Sequence, residues 1–269
     1  MRFYVAVIIE NSGLSSTIST HPINNEFNTT PRLGRPVSAA YRAAILVFAD
    51  GYELRRSLKN RTIVYVDGFN LFYGALRGTS EAWLDLERLF RLLLPHDDLR
   101  RVRFFTALLM GPERVAQRTH LRALETTPLV EVTLGRFKTR RVRCRVAGCS
   151  MSGPRRFAWP EEKRTDVTIG ISMLDDAYRN ECDRLILVSG DSDLVPAISL
   201  IRGRFPEKEI VVYVPSRHPD RGAAVELRGV AHRARLLPLQ VLKHAQFSDV
   251  VIDSRGRRIR KPADWNSRA

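Results

Sequence analysis

A chain of 269 residues with 44% hydrophobic side chains can bury a full core, and none of its apolar stretches approaches the roughly 20 residues of a membrane-spanning helix. The formal charge of +15 favours polyanions through Coulomb attraction and counterion release, which makes nucleic acid the leading partner. Three cysteines, Cys144, Cys149 and Cys182, cannot all pair with one another, so a reducing, cytoplasmic setting is expected and a disulfide framework is not.

The apolar run that begins at Phe3 is at the short limit for a signal peptide and meets Glu10 soon after, which argues against export. Residues 10 to 40 are rich in Ser, Thr, Asn and Pro without periodicity, a composition that cannot offset its ordering entropy by burial. They are read as disordered, and residues 1–60 as a largely disordered extension.

The core is expected to open at Arg61. Strand-forming residues Ile63 to Val66 run straight into Asp67, and Gly68 permits a tight turn before Asn70. Asn70 either caps a helix over Leu71 to Leu76 or makes a polar contact to metal-bound water or phosphate. Leu84 to Leu93 carries helical spacing, Val102 to Met110 reads as a strand, Pro112 to Thr126 as a helix and Leu129 to Leu134 as a strand. Strands alternating with helices predict a mostly parallel sheet.

The pattern changes between Gly135 and Pro160. Residues 100 to 164 hold 16 Lys and Arg against five Glu, and within them Arg136, Lys138, Arg140, Arg141, Arg143, Arg145, Arg155 and Arg156 follow one another with no acid between. Arg141, Arg143 and Arg145 alternate with Val142, Cys144 and Val146, so an extended backbone shows guanidinium groups on one face. A basic ribbon or flap over the active edge is predicted, because the planar fork of Arg can give phosphate two hydrogen bonds. Phe157 and Trp159 either stack on bases or anchor the flap. Cys144 and Cys149 could supply half of a zinc site, yet no second Cys/His pair follows at finger-like spacing.

Asp166 falls at the start of a helix marked by Val167, Ile171, Leu174 and Tyr178, where capping and metal ligation both remain open. Asp175 and Asp176 read as surface residues. Leu185 to Val188 is a buried strand that stops abruptly at Ser189-Gly190-Asp191-Ser192-Asp193, ahead of a helix over Leu194 to Arg202. Ser192 or Asp193 capping that helix accounts for one acid and not for both. Ile210 to Val214 gives another strand, Arg221 to Arg228 a short helix, and Ala234 to Leu237 an edge strand. From Ser254 the basic stretch through Arg255, Arg257, Arg258, Arg260 and Lys261 is expected to be a loose tail.

Parallel strands bring their C-terminal ends to one edge, so Asp67, Asp191 and Asp193 can meet there, joined by Asp166 from a helix start. Four crowded carboxylates repel unless a cation neutralises them. Oxygen ligands of this kind suit Mg²⁺ or Mn²⁺, which can activate water and stabilise charge on a phosphodiester.

Three blocks carry a resemblance: Ile63-Val64-Tyr65-Val66-Asp67-Gly68-Phe69-Asn70, Glu162-Lys163-Arg164-Thr165-Asp166-Val167, and Val188-Ser189-Gly190-Asp191-Ser192-Asp193-Leu194. Together they resemble the NYN domain of the PIN-like nuclease superfamily, from about Arg61 to Phe247. The resemblance implies a Rossmann-like α/β/α sandwich with a five- or six-stranded sheet and a metal-dependent ribonuclease, with Asp67, Asp166, Asp191 and Asp193 as metal ligands and Asn70 as a site residue. On this reading residues 61–247 form the nuclease domain, with its flap at 135–160, and 248–269 the tail. Arg141, Arg143, Arg145, Lys163, Arg164, Ser189 and Ser192 are expected to contact RNA, most readily single-stranded.

Three other readings compete. Gly190-Asp191-Ser192-Asp193 is a poor serine-esterase block, since no Asp-x-x-His follows to complete a triad. No Gly-x-Gly-x-x-Gly follows the first core strand, which disfavours dinucleotide binding. The stronger alternative is a non-catalytic RNA-binding or regulatory protein that keeps the nuclease fold.

Overall fold

The computed structural model describes residues 4–8, 18–22, 59–146, 148, 156–217 and 225–265, with the backbone alone at 4–8, 18–22, 159–161 and 264. The chain divides into two units, Met1–Ser57 and Leu58–Ala269. In the first, β1 (Tyr4–Ile8) and β2 (Ile18–Pro22) pair antiparallel. Of the stretch from 10 to 40 read as disordered, Ile18–Pro22 is thus a strand, and the other positions lie outside the described residues.

The second unit is built on β3 (Arg61–Asp67), β4 (Asp98–Thr106) and β5 (Val130–Leu134), then a two-stranded ribbon of β6 (Arg136–Arg143) and β7 (Arg156–Lys163), then β8 (Arg184–Val188), β9 (Glu209–Val214) and β10 (Arg233–Leu236). Outside the ribbon these strands form one six-stranded sheet in the order β10-β9-β8-β3-β4-β5, with every neighbouring pair parallel. Helices α1 (Gly68–Leu71), α2 (Leu86–Leu93), α3 (Glu113–Leu124), α4 (Thr165–Tyr178), α5 (Val195–Arg204) and α6 (Val225–Val230) flank it.

Both faces of the central strands are covered, which is why β3 reads as a continuous apolar run. Val64 and Val66 point to one layer with Leu86, Leu89, Phe90, Leu121 and Leu124; Ile63 and Tyr65 point to the other with Ile169, Met173, Ala177, Ile198 and Ile201. The result is an α/β/α sandwich, as the resemblance implied. At the opposite edge from the acids, Arg184 pins the strand starts by bonding Asp97 at 2.6 Å and Glu209 at 2.8 Å. No helix among the described residues is long and apolar enough to cross a membrane.

The caps depart from expectation. Asp67, not Asn70, caps α1 by accepting the Asn70 N–H at 3.0 Å, and the next turn, Phe72–Leu76, is a π-helix. Asp191, rather than Ser192 or Asp193, caps the turn ahead of α5 by accepting the Asp193 N–H at 3.0 Å. Asp166 is not the cap of α4: it lies inside the first turn, one residue past Thr165, and Arg164 stands at the cap position. Strand β4 ends at Thr106 rather than Met110, because the Gln117 amide takes the Leu109 N–H and the Ala107 carbonyl out of the ladder.

Two further expectations are corrected. Asp175 is exposed as read from the sequence, but Asp176 is fully buried, on the sheet-facing side of α4 with Ile169 and Met173. It accepts from the Tyr65 hydroxyl at 2.7 Å and from Arg103 at 2.7 Å. The basic C-terminal segment is not loose either: β11 (Val250–Ile252) and β12 (Arg258–Arg260) form a hairpin that buries Ile259 against Trp83 and Ala123.

His120 sits beside this satellite core, among Trp83, Phe247 and Trp265, and donates from Nε2 to the Leu84 carbonyl at 2.7 Å. Burial pushes its pKa down from 6.5 to about 4. The fold therefore refuses a proton that the unfolded chain accepts, so stability is complete above about pH 6.5 and falls with acid, by roughly 2 kcal/mol at pH 5. Urea unfolding at pH 7 and pH 5 should show His120→Phe losing less on acidification than the wild type; equal losses would contradict this assignment.

Candidate metal centre

The chain runs from β3 outward to β4 and β5, then returns to the other side of β3 to lay down β8, β9 and β10. The point where the order reverses, between β3 and β8, opens a crevice at the C-terminal edge of the sheet, where ligands bind in open α/β folds.

Asp67 ends β3 in this crevice and is only 2% exposed. One of its oxygens accepts the Asn70 backbone N–H, and the other accepts the Asn70 amide at 2.6 Å and the Ser189 hydroxyl at 3.0 Å. Asn70 also accepts the Gly190 N–H at 3.1 Å, and Ser189 accepts the Asp191 N–H at 3.1 Å. These bonds tie the end of β3 to the turn after β8. Gly68 is required at the joint, because a Cβ there would lie 2.7 Å from the Phe105 carbonyl oxygen.

The turn after β8 presents Asp191 and Asp193, and α4 presents Asp166 across from them. One carboxylate oxygen from each of the three lies within 4.8 Å of the others. Asp67 lines the same pocket but stands outside that set, with both of its oxygens already bonded. Arg164 brings α4 to this edge by turning the chain out of β7 in the left-handed region, φ 86°, a conformation that costs a non-glycine residue about 1–2 kcal/mol. The Thr165 hydroxyl donates to the Glu162 carboxylate just ahead of the helix.

The electrostatics follow from this crowding. Burial, then the charges of Asp191, Asp67, Glu162 and Asp193, push the Asp166 pKa up from 3.8 to about 6. Burial also raises Asp67, against the lowering effect of its hydrogen bonds. Carboxylates converging this closely repel, and a hard divalent cation is the counter-charge their oxygen donors suit. Asp166, Asp191 and Asp193 are the residues that would hold it, and Asp67 the one that fixes their frame.

The pocket has walls that the sequence reading did not find: Phe69, Tyr73, Phe137 and Glu162. Phe69 stacks on Tyr73 with ring centroids 6.1 Å apart and meets Phe137 edge-on at 5.8 Å. The aromatic pair at 69 and 73, four apart directly after Asp67-Gly68, was a readable signal; Phe137 needed the ribbon register. In that register Phe137 opposes Glu162, Arg141 opposes Ala158 and Arg143 opposes Arg156, so all six side chains belong to one face, continuous with the acidic pocket. Phe157 opposes Val142 on the other face, and Lys163 opposes Arg136 at the ribbon's base. Arg145 lies beyond the end of β6, Arg164 is exposed at the foot of β7, and Ser192 is half-buried in the turn between the two acids. The Trp159 side chain and Cys149, half of the zinc pair considered above, lie outside the described residues.

A family model described as the NYN domain matches residues 61–236, which takes in β3 to β10 and every acid of the pocket. The chain belongs to the NYN domain family. Among curated proteins, the NYN chain is similar to the 6-hydroxy-3-succinoylpyridine 3-monooxygenase HspA of Pseudomonas putida, with 30% identity over 206 residues. That alignment covers 65% of the NYN chain and 66% of the relative, just short of two thirds. Among solved structures it is similar to a protein of unknown function from Vibrio parahaemolyticus, at 20% identity and a TM-score of 0.43, covering 67% of this chain and 95% of that one.

Proposed function

We propose that this NYN domain hydrolyses phosphodiester bonds in RNA, with Mg²⁺ or Mn²⁺ held by Asp166, Asp191 and Asp193. The approach of these three carboxylates at the crevice between β3 and β8, in a chain carrying +15, is the observation that supports it most. Such a cation would supply Lewis-acid stabilisation of the phosphoryl charge and a water of lowered pKa. The protein does the rest. Asp67, locked by Asn70 and Ser189, holds the two strand ends in register so that Asp191 and Asp193 face Asp166. The ribbon offers guanidinium groups to phosphates, and the free thiols of Cys144 and Cys182 suit the cytoplasm.

Incubating the protein with labelled single-stranded RNA in Mg²⁺, in Mn²⁺ and in EDTA tests the proposal. Cleavage with either metal and none in EDTA is expected. Cleavage that persists in EDTA would refute it, and binding without cleavage would favour the non-catalytic RNA-binding alternative. The ribbon makes a separate prediction. Replacing both Arg141 and Arg143 with Gln should reduce the slope of log affinity against log salt by roughly 0.7 for each phosphate of a single strand that is no longer neutralised. An unchanged slope would remove the ribbon from the interface.

One observation favours a second reading, the oxygenation of a small heteroaromatic acid of the kind named for the Pseudomonas relative. Behind Phe69 lies a cavity of about 230 Å³, walled by Phe72, Phe104, Leu121 and Trp265 with His120 and Gln117 among its polar groups, a lining suited to a single aromatic ring. Oxygen uptake with a hydroxypyridine substrate and a reduced cofactor would establish this reading, and its absence alongside metal-dependent RNA cleavage would discard it.

A further inference from the structure

The aromatic wall of the acidic pocket has no role in holding a cation, yet part of it faces solvent. Tyr73 is 55% exposed although it is stacked on Phe69. The guanidinium of Arg77, itself an exposed side chain, stands 5.5 Å from the centroid of the Tyr73 ring. Phe137 completes the wall from the ribbon. A planar cation over an exposed ring, beside carboxylates suited to phosphate chemistry, marks a surface for a planar group joined to a phosphate.

We infer that the nucleotide next to the cleaved phosphate is held unpaired, with its base stacked on the Tyr73 and Phe137 wall, and that the strand leaves along the ribbon face bearing Arg141, Arg143 and Arg156. This rests on the ribonuclease reading of the same site and names the form of its substrate. A base inside a duplex has both faces covered by its neighbours and cannot stack on a protein ring, so the wall selects single strands, loops or ends. The guanidinium of Arg77 is displaced from Tyr73 by the base and turns to a phosphate. From Phe137, Arg141 lies about 14 Å and Arg143 about 20 Å along the ribbon at the usual strand rise, so the track extends over several nucleotides. Lys138 and Arg140 belong to the opposite face and make no such track.

Fluorescence anisotropy in EDTA, where metal-dependent cleavage cannot interfere, tests this on the full chain. The probes are a single-stranded RNA, the same sequence annealed into a duplex, and a single strand with abasic positions. Wild type should bind the intact single strand roughly ten- to a hundredfold more tightly than the abasic one, and Tyr73→Leu should lose that preference while binding the abasic strand as the wild type does. The exposed position of Tyr73 keeps the fold out of the comparison, and Phe137→Leu provides a second variant. Replacing Lys138 and Arg140 with Gln should weaken binding less than replacing Arg141 and Arg143. Equal affinity for duplex and single strand, or an abasic penalty unchanged in Tyr73→Leu, would overturn the inference. Metal-dependent cleavage with no such coupling would sink the stacking wall alone; coupling without cleavage would leave it standing and sink the nuclease reading.

Discussion

Replacing Asp191 with Asn should reduce metal-dependent RNA cleavage by on the order of 10²- to 10³-fold or more while leaving the fold intact. The substitution separates two jobs of one side chain. Oδ1 of Asp191 accepts the Asp193 N–H, which shapes the turn, and an Asn at this position keeps that acceptor. What Asn removes is negative charge beside Asp166 and Asp193. Because the Asp191 charge is one of the causes that push Asp166 upward, its loss relieves repulsion, and the variant's thermal midpoint should equal or exceed that of the wild type. Ser189→Ala, which removes only a support of Asp67, should cost less, roughly 10- to 100-fold. Full activity in Asp191→Asn, measured as single-turnover cleavage of labelled RNA, would refute the assignment.

The largest effect on stability is expected from Asp176→Ala, about 3–5 kcal/mol. Asp176 is completely buried and serves as the shared acceptor for Tyr65 and Arg103, with Arg101 a further partner at 3.5 Å. Removing it strands the Tyr65 hydroxyl in the core and leaves Arg103, whose Nε has no hydrogen-bond partner among the described residues, without its strongest counter-charge. Burial is the main reason the Tyr65 phenol is held well above its usual pKa, so the ring cannot compensate by ionising. Asp176 lies ten residues along α4 from Asp166, about 15 Å, so cleavage per folded molecule should be preserved. Urea unfolding checks the first statement, and activity at low urea the second. A loss below about 1 kcal/mol would mean that the network is better solvated than its burial indicates.

The core strands and the acidic edge were accessible from sequence because their physics is local. Ile63 to Val66 and Leu185 to Val188 are apolar runs broken by charge, and a sheet with both faces covered produces that pattern at each strand. Asp176 was misread for an equally physical reason. It follows Asp175 in a polar pair, and only the helical phase set by Ile169 and Met173 turns one of the two inward, where partners 73 and 111 residues away neutralise it. The assignment of caps failed because Asp67 and Asp191, read only as ligands, each combine a helix-capping bond with a place in the acidic site, whereas the caps were sought at Asn70 and at Ser192 or Asp193. Phe137 escaped notice because its position depends on the pairing of β6 with β7, a register that no short window of sequence contains. The C-terminal hairpin was hidden because β12 carries a single apolar residue, Ile259, between two arginines, and its packing with Val251 against Trp83 is non-local.

The claim at the centre of this account is that Asp166, Asp191 and Asp193 jointly bind a hard divalent cation. Titration of Mn²⁺ followed by electron paramagnetic resonance, on the full chain without RNA, reads that binding directly. Saturable uptake of Mn²⁺ by the wild type, competed by Mg²⁺ and lost in each of Asp166→Asn, Asp191→Asn and Asp193→Asn, is the predicted result. Wild-type affinity retained in all three variants, or no saturable uptake by the wild type, would contradict it.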